Sequence, residues 1–250
     1  MNRSGGVQLG RGVLDGAFAL LEELTQSGEA GLTQIAANSG LPKATAYRLL
    51  RQLITLGAVE QRAGQYRIGP RMFHVGQAWQ PAAALRAAAW HPLRQLATAI
   101  GGASVNVGMP DAGRTLIVAT LRGDADDANE VRPGLRFPHG VGQDRLWAAY
   151  FPDTELPPVY SATEWQRLVR DVRKHDGLVI NKECPYVPAV STVGAPVVHS
   201  LTGEVVASVS ARVLDNRVLK SIAPVVSRTA NMVAANLTRL TTKNPALYSW

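Results

Sequence analysis

Apolar residues recur along the first third of the chain with helical spacing. In residues 12–26 they fall at Leu14, Ala17, Phe18, Leu21 and Leu24, which predicts an amphipathic helix. Asp15 lies in its first turn, where the helix dipole favours negative charge, and Ser27-Gly28 ends it. A short helix follows over about 32–39, with Ile35 and Ala36 inward and Gly31 or Thr33 as N-cap. Gly40 can take the positive φ of a tight turn, and Pro42 suits the first position of a third helix running to about Leu56. On that helix Ala46, Leu49, Leu50 and Leu53 form the inward stripe. Two short strands, 58–62 and 65–68, joined by Ala63-Gly64, complete the order helix, helix, turn, helix, hairpin. That is the order of a winged helix-turn-helix.

The pattern changes at residue 80. Pro81 opens an alanine-rich helix, and Pro92 restarts one with Leu93, Leu96, Ala97 and Ile100 inward. From 103 to 240 the pattern is mixed α and β. Strands are predicted at 104–109, 115–121, 192–198 and 205–212, and helices at 146–150, 164–174 and about 216–241, where Pro224 kinks or restarts the last. A polar loop covers 123–129. In 205–211, Val206, Ser208 and Ser210 face one way and Ala207, Val209 and Ala211 the other. Two hydroxyls on one strand face either line a small polar cavity, orienting a carboxylate or hydroxyl, or form a solvent-facing stripe.

Composition narrows the class. The chain has 250 residues, 46% hydrophobic and 18% charged, enough for one large domain or two modest ones. No apolar run reaches membrane-spanning length, and the N-terminal stretch has no apolar secretory core, so a soluble cytoplasmic protein with no membrane partner is expected. One cysteine, Cys184, excludes an internal disulfide and a cysteine-rich zinc module. No phosphate loop, nucleophile elbow or zincin motif occurs, and the five histidines show no ligand spacing. No catalytic residue, metal or cofactor is therefore expected.

The net charge of +7 is concentrated. Residues 41–79 hold Lys43, Arg48, Arg51, Arg62, Arg67 and Arg71 against Glu60 alone, the footprint of a nucleic-acid contact. A helix fits the DNA major groove, so the face carrying Lys43, Tyr47, Arg48 and Arg51, with Thr45 near its N-terminal end, suits phosphates and guanine. Arg62 and Arg67 flank the hairpin tip, within reach of the adjacent backbone or minor groove.

These residues carry a family resemblance. Gly31-Leu32-Thr33-Gln34-Ile35-Ala36, Gly40-Leu41-Pro42-Lys43-Ala44-Thr45-Ala46-Tyr47-Arg48-Leu49-Leu50, then Leu53, Gly57 and Tyr66-Arg67-Ile68-Gly69 resemble the N-terminal domain of IclR-family bacterial transcription regulators. The resemblance implies an α+β fold: a winged helix-turn-helix DNA-binding domain (12–79), linker helices (80–100) and a GAF-like effector-binding or oligomerisation domain (101–241). It also implies a dimer, or a tetramer, on a near-palindromic double-stranded operator. Ser208-Val209-Ser210 matches the family's Ser-x-Ser pair, Asn106 falls on its first effector-domain strand, and Thr192 stands where a cysteine is usual. Asp144 and Arg145 replace a glycine and a lysine. The effector-binding set is thus Asn106, His139, Arg145, Thr192, Ser208 and Ser210, and His139 or Arg145 would suit a small organic acid. Two other classes remain open. One is an enzyme built on the C-terminal domain, with Cys184 near His139 or His175 and a helical N-terminal oligomerisation module. The other is an architectural DNA binder without sequence preference.

Overall fold

Gly16 sets the rotation of the first helix in the computed structural model, which describes residues 12–243. A Cβ at Gly16 would lie 3.0 Å from Leu49 and 3.7 Å from Leu41, so the bare backbone allows close helix approach there. Helix α1 (Val13–Ser27) accordingly buries Gly16, Leu20, Leu21 and Leu24. This corrects the expected stripe: Leu14 and Phe18 are 75% and 61% exposed.

Strand β1 (Glu29–Gly31) follows, then α2 (Leu32–Ser39) and α3 (Lys43–Thr55). Gly40 ends α2 at φ 65° and makes the turn. Helix α3 buries Ala46, Leu49, Leu50 and Leu53, the stripe its spacing predicts. Strands β2 (Val59–Arg62) and β3 (Gln65–Ile68) form the wing, with Ala63 and Gly64 both at positive φ, as a two-residue hairpin turn requires. β1 pairs with β3 to make a three-stranded antiparallel sheet. Three residues are too few to show a strand period, so sequence spacing misses β1. A further helix, α4 (Pro70–Gly76), was also not anticipated.

Residues 12–79 and those from 80 onward form two compact units. The second begins with α5 (Gln80–Ile100), a single helix with Pro92 inside it, where two had been expected. Proline has no N–H to give the carbonyl four residues back. That carbonyl belongs to Ala88, and the Asn236 amide donates to it at 3.0 Å. A partner from a distant helix thus repairs the gap, and the helix runs on.

Strands β4 (Ser104–Asp111) and β5 (Arg114–Leu121) lead to α6 (Ala125–Ala128), α7 (Gly142–Tyr150) and α8 (Ala162–Lys174). Then come β6 (Val179–Asn181), β7 (Ser191–Val198), β8 (Val205–Val213) and α9 (Leu219–Lys243), which contains Pro224. The sheet order is β5-β4-β8-β7-β6, antiparallel throughout. One face is apolar: Val105, Val107, Val193, Ala195, Ala207, Val209 and Ala211 pack with α5 and α9. The opposite face carries Asn106, Thr192, Ser208, Ser210 and Arg212, and α7 packs over that side against β5, β6 and β7. Both faces are buried, so the Ser208 and Ser210 hydroxyls do not face solvent.

Candidate nucleic-acid interface and buried polar cavity

Burying Ala46, Leu49, Leu50 and Leu53 leaves the other side of α3 free. Lys43, Tyr47, Arg48 and Arg51 are exposed, with Thr45 half-buried beside them. Tyr47, Arg48, Arg51, Gln52 and Thr55 line an open groove along the helix. Among the described residues, no side-chain hydrogen bond or ion pair ties Lys43, Arg48 or Arg51. A row of uncommitted donors on one solvated helix face can meet phosphates and base edges. Gln52 and Thr55 were not singled out from sequence, though the spacing 47, 48, 51, 52, 55 was legible there.

The wing divides its two arginines. Arg62 is exposed next to the turn. Arg67 is committed: its Nε and Nη2 donate to Glu60 Oε2 at 3.0 and 2.7 Å, and Nη1 to Glu29 Oε1 at 3.4 Å. The hydrogen bond to Arg67 holds the Glu60 carboxyl below its usual range. Expected as a DNA contact, Arg67 instead ties the three wing strands together, because register places Glu29 and Glu60 on either side of it. Arg71 donates to the Leu56 carbonyl at 2.8 Å.

In the second unit the expected effector residues separate. Ser210 Oγ donates to Asn106 Oδ1 at 2.5 Å across paired strands, and Ser208 lies two residues along the same face. Gly194 pairs with Ser210 on the other side, and a Cβ there would lie 3.8 Å from Gln143 Cγ. The glycine leaves room for Gln143, which descends from the first turn of α7. Beside this strip is a cavity of about 40 Å³, bounded by Asn129, Phe137, Gln143, Asn181, Thr192 and Arg212 among others. That is several times the about 10–15 Å³ that a single water needs by the same measure. Of the expected set, only Thr192 lines it.

His139 and Arg145 are elsewhere. His139 is buried, and burial pushes its imidazole below the usual range, towards the neutral form. Arg145 Nη2 donates to the Tyr160 hydroxyl at 2.9 Å, with the guanidinium 5.6 Å from that ring's centroid. Gln143 Nε2, on the cavity lining, is buried without a partner, and so are Asn106 Nδ2 and Ser208 Oγ further along the same sheet face. Cys184 lines the cavity, but among the described residues no hydrogen bond joins it to a histidine.

Two buried acids complete the region. Asp126 pairs with Arg212 at 2.9 Å and accepts from the N–H groups of Gly123 and Val131. Asp144 accepts from Thr115 Oγ1 at 2.8 Å and Gly140 N–H at 2.7 Å, while the Trp147 indole donates to the same Thr115 oxygen. Burial nevertheless raises the Asp144 carboxyl to about 7. Neither Asp126, Gln143 nor Asn181 had been read as part of a site.

A three-helix unit with a wing and a free basic face on its third helix, followed by a sheet unit with a polar cavity, is the architecture of a winged helix-turn-helix domain joined to a second domain. Comparison agrees. The model of the IclR helix-turn-helix domain matches residues 13–63. The glycerol operon regulatory protein of Streptomyces coelicolor is 33% identical over 144 residues; the match spans 56% of this chain and 56% of that relative. An IclR homolog from Microbacterium hydrocarbonoxydans, solved with 4-hydroxybenzoate, superposes with a TM-score of 0.74 at 17% identity, covering 91% of this chain and all of that one. The Thermotoga maritima IclR gives 0.60 at 18% identity over 90% and 98% of the two chains. Residues 13–63 thus match the IclR helix-turn-helix domain, and the fold of the chain is similar to that of solved IclR homologs. No helix among the described residues is long and apolar enough to cross a membrane.

Proposed function

We propose that the chain is a sequence-specific, DNA-binding transcriptional regulator of the cytoplasm, not an enzyme, whose second unit binds a small-molecule effector. Residues 12–79 read double-stranded DNA, 80–100 connect, and 101–241 bind the effector and assemble copies. The observation that carries this reading is the solvated face of α3, where Lys43, Tyr47, Arg48 and Arg51 stand free of internal partners. A homodimer, or a tetramer built from two, on a near-palindromic operator suits the exposed apolar strip of α1: Val13, Leu14 and Phe18 are 60%, 75% and 61% exposed. A twofold pair of such heads matches half-sites one helical turn apart.

Effector binding is supported by the cavity with its unpaired donors and by the relative solved with 4-hydroxybenzoate. A ligand changes operator affinity only if it binds one arrangement of the paired heads better than another. The test is a fluorescence titration against the DNA upstream of the chain's own coding region. Specific binding that exceeds random DNA and is lost in Arg48→Ala/Arg51→Ala supports the reading. Binding equal to random DNA and unaffected by that variant sinks it, and equal affinity with strong salt dependence points to an architectural binder instead.

A further inference from the structure

The lining of the cavity has one cation, and that cation is taken. Arg212 donates from Nη1 to Asp126 Oδ1 at 2.9 Å and from Nη2 to the Asn129 carbonyl at 3.0 Å, with both side chains of the ion pair almost wholly out of solvent. A carboxylate seeking Arg212 would have to displace Asp126, leaving that acid buried without its partner, which is strongly unfavourable. No other Lys, Arg or His is among the lining residues. His139 and Arg145 do not line the cavity, and Arg145 is engaged with Tyr160.

The N-terminal end of α7 does reach the cavity through Val141, Gly142 and Gln143, and a helix N-terminus attracts anions. Asp144 lies in that first turn, with Oδ2 on the Gly140 N–H at 2.7 Å, so an incoming carboxylate would meet a carboxyl group already there. What is left over is neutral. Gln143 Nε2 is buried on the lining without an acceptor, and Asn106 Nδ2 and Ser208 Oγ continue the same sheet face. Each is an amide or hydroxyl group that burial penalises until an oxygen arrives.

We propose that this cavity holds a small uncharged molecule bearing hydroxyl or carbonyl oxygens, with Gln143 as a donor to it, and that it disfavours the carboxylate of the same skeleton. This rests on the effector reading above, and it replaces the organic acid that His139 and Arg145 had suggested. The small volume favours few heavy atoms, and the closed Asp126–Arg212 pair favours neutrality.

Matched pairs test it on the full chain: propane-1,2-diol against lactate, glycerol against glycerate, and acetamide against acetate. Binding is followed by saturation-transfer NMR, with Gln143→Leu marking the cavity. Saturable binding of the neutral member, at least about tenfold tighter than its partner and weakened by Gln143→Leu, is the expected result. Equal or tighter carboxylate binding that is still weakened by Gln143→Leu overturns the proposal and leaves the effector reading standing. No saturable binding by any member of any pair overturns both. Asp126→Asn frees Arg212 and should move the preference towards the carboxylates by about tenfold; if that variant fails to fold, the pairs on the natural chain decide.

Discussion

The exposed face of α3 and the strip beneath α7 both hold polar groups without protein partners, but at very different free-energy levels. On α3 the free groups are mostly charged, solvated and satisfied by water, which the proposed DNA contact would replace. Under α7 they are neutral, buried and unsatisfied, while the nearby charges of Asp126 and Arg212 are locked in one pair. Recognition by a charged surface needs only accessible donors in a row. Recognition by a cavity needs every charge already balanced, so that the few orphaned dipoles decide what enters.

The largest break in that balance is Asp126→Ala. It strands the Arg212 guanidinium inside the second unit and is expected to destabilise that unit by about 3–5 kcal/mol. Urea unfolding followed by near-ultraviolet circular dichroism reads it.

Asp144 gives a pH-dependent counterpart. Its carboxyl loses its proton near 3.8 when unfolded and near 7 when folded. Between those values the folded chain keeps a proton that the unfolded chain has lost, so stability falls as pH rises from about 4 to 7 and then levels off. The ceiling is on the order of 4 kcal/mol. Denaturation midpoints of Asp144→Asn, set against the natural chain from pH 4 to 8, should diverge in favour of the variant as pH rises. Parallel profiles would show that Asp144 is ionised throughout.

On the DNA-reading side, Arg48→Ala or Arg51→Ala should each weaken operator binding by about 1–3 kcal/mol if they reach base edges. Arg67→Ala should cost less binding, since its guanidinium is held by Glu60 and Glu29, and should loosen the wing instead. A gel-shift series separates the three. An Arg67→Ala loss equal to that of Arg48→Ala would mean that the internal pairs open on DNA.

These contrasts follow what the chain's own pattern reveals. The helix-turn-helix order, the α3 stripe and the Ser208/Ser210 alternation were legible because each is a local period. The rotation of α1 was not, because it turns on Gly16 meeting Leu49 of another helix. Nor was the continuity of α5 through Pro92, which depends on Asn236, 148 residues away from Ala88. Asn236→Leu should therefore destabilise the second unit by roughly 1–2 kcal/mol, by orphaning the Ala88 carbonyl, and chemical denaturation would show it. The cavity was the least legible feature. Asp126 and Arg212 meet across 86 residues, and spacing cannot say which of the acids Asp124, Asp126, Asp127 and Glu130 neutralises a strand arginine.

The smallest expected effect is the most discriminating between a strip built for packing and one built for a ligand. Ser208 and Ser210 share a strand face and are both fully buried, yet Ser210 donates to Asn106 and Ser208 Oγ has no partner. Removing a bonded hydroxyl strands the Asn106 oxygen, so Ser210→Ala should lose roughly 1–2 kcal/mol. Removing an orphaned hydroxyl also removes its desolvation penalty, so Ser208→Ala should leave the unfolding midpoint unchanged or slightly raised. If the strip serves only packing, nothing else changes in Ser208→Ala. If it serves a ligand, the response of operator binding to that ligand weakens while stability does not, and that split is what a paired unfolding and titration experiment on Ser208→Ala measures.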